Sequence, residues 1–96
     1  MKIAELRDGM RRVDLVAEVS EISETREVRS RTSDETYRVA EATISDGTGT
    51  IKLVLWNEQI DQVNINDRVQ IQNGYTRSFR GEVQLNVGRY GRLTVL

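Results

Sequence analysis

Two aromatic side chains, Tyr75 and Phe79, lie four residues apart, and each is followed within two positions by an arginine, Arg77 or Arg80. Residues 74–81 begin and end with glycine and have polar sequence on both sides, which predicts a hairpin tip rather than a core segment. A planar ring stacks on the π face of any base, and a guanidinium group pairs with phosphate or stacks on a base. These residue types together suit the binding of a single-stranded nucleic acid.

The only tryptophan of the chain stands at the end of its clearest alternating segment. Ile51, Leu53 and Leu55 fall on one face of a strand, and Lys52 and Trp56 fall on the other. An outward tryptophan forgoes a substantial part of the about 1.5 to 3 kcal/mol that burial of a large apolar side chain contributes. The pattern therefore predicts that Trp56 has a binding role, with Lys52 placed to meet a phosphate.

Charge is distributed unevenly along the chain, although the formal net charge is only −1. Residues 68–96 hold five arginines, Arg89 among them, and a single acidic residue. The preceding residues carry the excess of acid. Since the net charge excludes binding through a bulk positive field, a basic segment on an acidic body predicts local contacts instead.

The composition excludes several classes of chemistry. The sequence contains no Cys and no His, which removes disulfides, thiol nucleophiles, typical zinc sites and histidine acid–base catalysis. The acidic residues are scattered and form no ligand pattern, so we expect neither an enzyme nor a bound metal or cofactor. The longest apolar run has four residues, 53–56, and predicts a soluble, cytoplasmic protein without a membrane segment.

Five short segments alternate as strands do, beginning near residues 13, 36, 50, 69 and 82. One turn of helix or a tight loop precedes them, and residues 57–67 predict a short helix or helical turn, with Asn57 as its cap, between strands three and four. The charged residues 23–35 predict a long mobile loop. This order predicts an all-β fold, a five-stranded Greek-key oligonucleotide-binding (OB) barrel. Its groove combines the face of strands two and three with the loops after strands one and four.

Residues 39–56, with their Ser-Asp-Gly-Thr-Gly-Thr-Ile turn and Leu-Trp ending, resemble the OB domains of replication protein A and of archaeal single-stranded-DNA-binding proteins. The resemblance extends over residues 13–92 and is strongest in the order of Trp56, Tyr75 and Phe79. It implies stacking roles for these three rings and a contact role for Arg89. Since relatives often carry several such domains, it also implies that residues 1–96 form one OB domain, one module of a longer protein.

One position departs from the pattern of these relatives, because Asn86 stands where some of them place another aromatic ring. Either the chain has one stacking platform fewer, or Tyr90 supplies it. The sequence also leaves the partner open among three classes. The leading hypothesis is single-stranded DNA, bound with little sequence preference in replication, repair or recombination. The alternatives are RNA, since the sequence shows no dedicated reader of the 2′-hydroxyl, and a protein partner in a replication complex.

Overall fold

The computed structural model describes residues 1–96, which form seven strands and two short helical turns. In chain order these are a 3₁₀ turn (Ile3–Glu5), β1 (Val13–Ile22), β2 (Arg26–Arg29), β3 (Thr36–Ser45), β4 (Thr50–Trp56), α1 (Glu58–Gln62), β5 (Arg68–Phe79), β6 (Glu82–Asn86) and β7 (Arg92–Val95). The five predicted strands and both predicted helical turns are present. No helix is long and apolar enough to cross a membrane.

Five of the strands close into a ring in the order β1, β3, β4, β6, β5 and back to β1. The closure is made by β1, whose first half pairs with β5 and whose second half pairs with β3. The β4–β6 pair is parallel, and the other pairs of the ring are antiparallel. Since a closed ring gives every member two neighbours, the remaining strands, β2 and β7, attach outside it, to β3 and β5.

Alternation along the ring strands fills one continuous core of fifteen buried residues. Leu53 and Leu85 are fully buried and are cross-strand partners in the parallel pair. Ile3 from the 3₁₀ turn and Val63 from the end of α1 complete the core. Val54, which the alternation assigns to the opposite face, is also buried, so part of the outer face is covered as well.

The charged segment 23–35 is not the long loop that its composition predicts. Arg26–Arg29 forms β2 and pairs in register with Thr36–Val39 of β3. All four residues of β2 are exposed, so this strand is held by its backbone pairing and not by an apolar face. The prediction failed because a strand without a buried side leaves no alternation to detect.

The predicted hairpin tip at residues 74–81 is also corrected. Strand β5 continues through Phe79, and only Arg80 and Gly81 form the turn before β6. Both turn residues have positive φ, 52° and 78°, as a two-residue type I′ hairpin requires. Tyr75 and Phe79 therefore project from a strand, which fixes them more firmly than a loop would.

Two further predictions concern local hydrogen bonding. The predicted turn after β3 is present, and Asp46 accepts hydrogen bonds from the Thr48 hydroxyl and from the Ile3 and Thr48 amides, which lower its pKa to about 2. The predicted side-chain cap of α1 by Asn57 is absent. Its side-chain oxygen accepts a hydrogen bond from the Arg38 amide instead, so Asn57 ties β3 to the end of β4.

Candidate nucleic-acid interface

Most of the residues that the sequence singled out lie on the outer face of β4 and β5, which β6 joins, while Arg80 lies in the turn after β5 and Arg89 follows β6. Because the pairing is in register, Tyr75 faces Asn86 across β5 and β6, and Asn86 faces Val54 across β6 and β4. At the next position on the same face, two residues away along each strand, Arg77 faces Gln84, and Gln84 faces Lys52. Closure of the sheet therefore brings β4, which carries Trp56, next to the β5–β6 hairpin, which carries Tyr75 and Phe79.

A cavity of about 420 Å³ opens on this face, and we call it the ring groove. Trp56 and Phe79 line it and remain 40% and 54% exposed. Val39 and Val54 line it too but are buried. Two large aromatic rings above a floor of valine side chains form a surface on which a flat, weakly polar group such as a nucleobase can lie.

Neighbouring side chains hold Trp56 in its outward position. The Tyr37 ring meets it edge-on, with the two ring centroids 6.5 Å apart at an interplanar angle of 87°. The Trp56 amide donates a hydrogen bond of 3.0 Å to the side-chain oxygen of Gln59 in α1. Tyr37 in turn donates to the Glu35 carboxylate, which raises the pKa of the Tyr37 hydroxyl. The contact with Tyr37 restrains the tryptophan, whose side chain remains 40% exposed.

Phe79 occupies the last position of β5, directly before the type I′ turn. The Arg80 guanidinium lies 5.2 Å from the centre of the Phe79 ring, within the range of a cation–π contact. The ring keeps more than half of its surface exposed with Arg80 in this position. Arg80 thus places a positive charge beside the Phe79 ring without covering it.

One acidic side chain lies in the ring groove, but its charge is matched. Glu41 forms two hydrogen bonds with the Arg26 guanidinium, of 2.8 and 2.9 Å. The hydrogen bond from Arg26 lowers the pKa of Glu41 against the opposing effect of burial, so the carboxylate is ionised and paired. Arg77 forms no ion pair, so its guanidinium is the charged group of the ring groove that has no partner of opposite charge.

Tyr75 and Arg89 do not line the ring groove. They lie in an adjoining cavity of about 410 Å³, which Arg77 lines as well. A Cβ atom at Gly88 would lie 2.7 Å from the Tyr75 ring, and Gly88 has a φ of +76°. Only glycine fits both conditions, so the tyrosine ring packs against the backbone at this point and remains 38% exposed.

Among the predicted contact residues, Arg80 lines neither cavity, and neither does Lys52. Lys52 shares the outer face of β4 with Trp56, as predicted, but its amino group lies 3.5 Å from the Glu82 carboxylate. Both side chains are about half exposed, and such a pair contributes little to stability. The structure therefore groups Trp56, Phe79 and Arg77 around one cavity, with Arg80 against the Phe79 ring and with Tyr75 and Arg89 in the adjoining cavity.

The sequence reasoning missed several residues that line the ring groove. They are Arg26, Val28, Val39, Glu41 and Gln84. The signal for Gln84 was available, because β6 alternates and its polar positions had to face outward with Asn86. Arg26 and Val28 gave no signal, since they reach the cavity only because β2 adds to the edge of β3.

The chain is similar to two relatives from archaea. It is 34% identical over 87 residues to the single-stranded DNA binding protein Ssb of Saccharolobus solfataricus, covering 91% of this chain and 57% of the relative. It is 33% identical over 93 residues to replication factor A of Methanothermobacter thermautotrophicus, covering 96% of this chain and 12% of the relative. The chain thus spans about half the length of the first relative and about an eighth of the second.

A solved structure and a family model agree with this similarity. The OB domain of Ta0387 from Thermoplasma acidophilum superposes with a TM-score of 0.84 at 24% identity, covering all of this chain and 85% of that structure. This likeness shows the OB fold. The model of the family described as "Single-stranded DNA binding protein Ssb-like, OB fold" matches residues 6–95. The chain therefore belongs to the Ssb-like family of OB-fold proteins.

Proposed function

We propose that this protein binds single-stranded DNA with little sequence preference, as a non-enzymatic module in replication, repair or recombination. The observation that carries the proposal is the exposure of Trp56 and Phe79 on one groove with the unpaired Arg77. Two archaeal relatives named for single-stranded DNA binding and for replication support it. We further propose that the closed ring of strands has the Greek-key barrel order, and that this domain acts in the cytoplasm as one module of a longer protein.

In this proposal the aromatic rings contact the bases and the arginines contact the phosphates. Bases stack on Trp56, Phe79 and Tyr75, each contributing about 1 to 3 kcal/mol. Stacking tolerates any sequence because every base has a π face. Arg77, with Arg80 and Arg89, follows the backbone through a site of roughly four or more nucleotides. Lys52 joins them once phosphate competes with Glu82 for its amino group.

Binding to labelled oligo-dT, oligo-U and duplex DNA tests the proposal, with anisotropy as the signal at several salt concentrations. If about three phosphates are neutralised, the slope of log affinity against log salt is about −2, at roughly 0.7 per contact. We expect oligo-dT to bind more tightly than the duplex, because a duplex keeps its bases stacked on each other.

Other outcomes of the same titration would contradict the proposal in distinct ways. A slope near zero would remove the arginine contacts from the mechanism. Tighter binding to oligo-U would favour RNA as the partner. The absence of binding to all three polymers would favour a protein partner for the exposed rings.

A further inference from the structure

We propose that Arg11 and Arg12, the two residues before β1, form with Arg89 a phosphate-binding subsite that extends the path of the strand beyond the ring groove. The inference rests on the proposed function, because the ligand of this subsite is the continuing sugar–phosphate backbone of the same strand. It adds two contacts that neither alternation nor family resemblance indicated.

The cavity beside Tyr75, which we call the arginine cavity, is built from three separate segments. It lies between residues 9–12, 73–77 and 87–90, and its volume is about 410 Å³. A cavity of this size accommodates a nucleotide unit, and it opens on the same face as the ring groove, with which it shares a residue.

The charge of the arginine cavity is unbalanced. Arg11, Arg12, Arg77 and Arg89 all line it, and no Asp or Glu does. None of the four guanidinium groups forms an ion pair. The ring groove differs, since the carboxylate in it is held by an arginine in a two-pronged hydrogen bond. Four unpaired guanidinium forks around one cavity match the geometry of phosphate oxygens.

The position of Arg11 and Arg12 is fixed by the segment that precedes them. Thr76, the one polar side chain among the buried residues, accepts a hydrogen bond of 2.8 Å from the Met10 amide and donates to the Arg7 carbonyl. Its own amide donates to the Met10 carbonyl at 2.9 Å. These bonds tie the segment to β5, so the two arginines that follow Met10 are held at the wall of the cavity.

The two cavities form a continuous path. Arg77 lines both, and Tyr75, in the arginine cavity, is the cross-strand partner of Asn86, in the ring groove. Tyr90 also lines the arginine cavity, with 83% of its surface exposed. A strand that leaves Trp56 past Arg77 therefore meets positive charge and further rings.

The test compares the double variant Arg11→Gln/Arg12→Gln with a matched control, Lys2→Gln/Arg68→Gln. The control removes the same charge from residues that line neither cavity. Each protein is titrated with oligo-dT of about four and about ten nucleotides, lengths chosen to fill the ring groove alone or both cavities.

On the longer oligomer, the double variant is expected to bind on the order of tenfold more weakly, with a salt slope smaller in magnitude by about 1.4, for two lost contacts at roughly 0.7 each. On the shorter oligomer, its slope should match that of the unmodified protein. The control should keep the unmodified slope on both lengths.

Unchanged affinity and slope of the double variant on the longer oligomer would overturn the inference while leaving the proposed function intact. An equal loss in the control would also overturn it, by showing a general charge effect. If the unmodified protein binds neither oligomer, the proposed function itself fails. A titration with inorganic phosphate at constant ionic strength separates the strand from a free anion. Phosphate-dependent, saturable changes in the NMR chemical shifts of the Arg11 and Arg12 amides would show that the subsite binds the free anion. This assignment also requires that the slope of log affinity against log salt does not depend on the length of the oligo-dT.

Discussion

Replacing Trp56 and Phe79 together by alanine is expected to weaken binding to oligo-dT by about 25-fold or more, since each stacked ring contributes about 1 to 3 kcal/mol. The free energy of unfolding should change far less. Both rings are exposed to about half of their surface, and only Trp56 has an aromatic neighbour, Tyr37, to lose. Anisotropy of labelled oligo-dT gives the affinity, and urea unfolding gives the stability.

Ile65 provides the matched control for this variant. It is an apolar side chain, 53% exposed, that lines neither the ring groove nor the arginine cavity. Ile65→Ala removes exposed apolar surface without removing a ring, so oligo-dT affinity should be unchanged. If the double ring variant loses no more affinity than Ile65→Ala, the rings do not carry binding.

A substitution in the core beneath the outer face is expected to lower stability strongly and to leave DNA affinity nearly unchanged. Leu85 is fully buried on β6 and pairs with Leu53 on β4 and with Thr76 on β5. Leu85→Ala should lower the free energy of unfolding by about 2 to 5 kcal/mol, from lost burial and the cavity left behind. For a domain of this size the melting temperature falls by about 10 °C or more. Thermal unfolding followed by circular dichroism measures it.

At a temperature where Leu85→Ala remains folded, its affinity for oligo-dT should be close to that of the unmodified protein, because no atom of Leu85 lines either cavity. Leu85→Met keeps the volume and should cost less than about 1.5 kcal/mol. A large loss of affinity in the folded Leu85→Ala protein would show that the outer face depends on core packing.

The outward position of Trp56 could be predicted because β4 is the regular case. Its Ile51, Leu53 and Leu55 enter the core at every second residue, and a strand cannot turn one side chain to the other face without shifting its register. Alternation also predicted the other four strands of the closed ring, whereas the turn at Asp46 was predicted from its glycines. Alternation is strong wherever one face of a strand meets the core.

The second half of β5 could not be predicted in this way. From Gly74 to Phe79 its inner positions are a glycine and two small polar residues, Thr76 and Ser78. They face the segment before β1 and bind it through hydrogen bonds, so no apolar residue marks the strand. At Gly74 a Cβ would lie 2.9 Å from the Asn86 carbonyl oxygen, and close packing of this kind leaves only a glycine in the sequence. A polar strand of this composition reads as a loop.

The arginine cavity escaped prediction for a related reason. Arg11 and Arg12 are more than sixty residues from Tyr75 in sequence, and the contact that joins them depends on the single buried hydroxyl of Thr76. Along the sequence, basic residues outnumber acidic ones in residues 68–96, whereas Arg11 and Arg12 belong to the part with an excess of acid. Proximity created by one tertiary hydrogen-bond cluster has no periodic signal, so it appears only when the fold is known.

The most direct test of base stacking is the intrinsic fluorescence of Trp56, the single tryptophan of the chain. The protein is titrated with oligo-dT and with an abasic oligomer of the same length, which keeps the phosphates and lacks the bases. Stacking predicts saturable quenching by oligo-dT and weak binding of the abasic strand without comparable quenching. Equal affinity and equal quenching with both strands would contradict the account, because binding would then depend on phosphates alone.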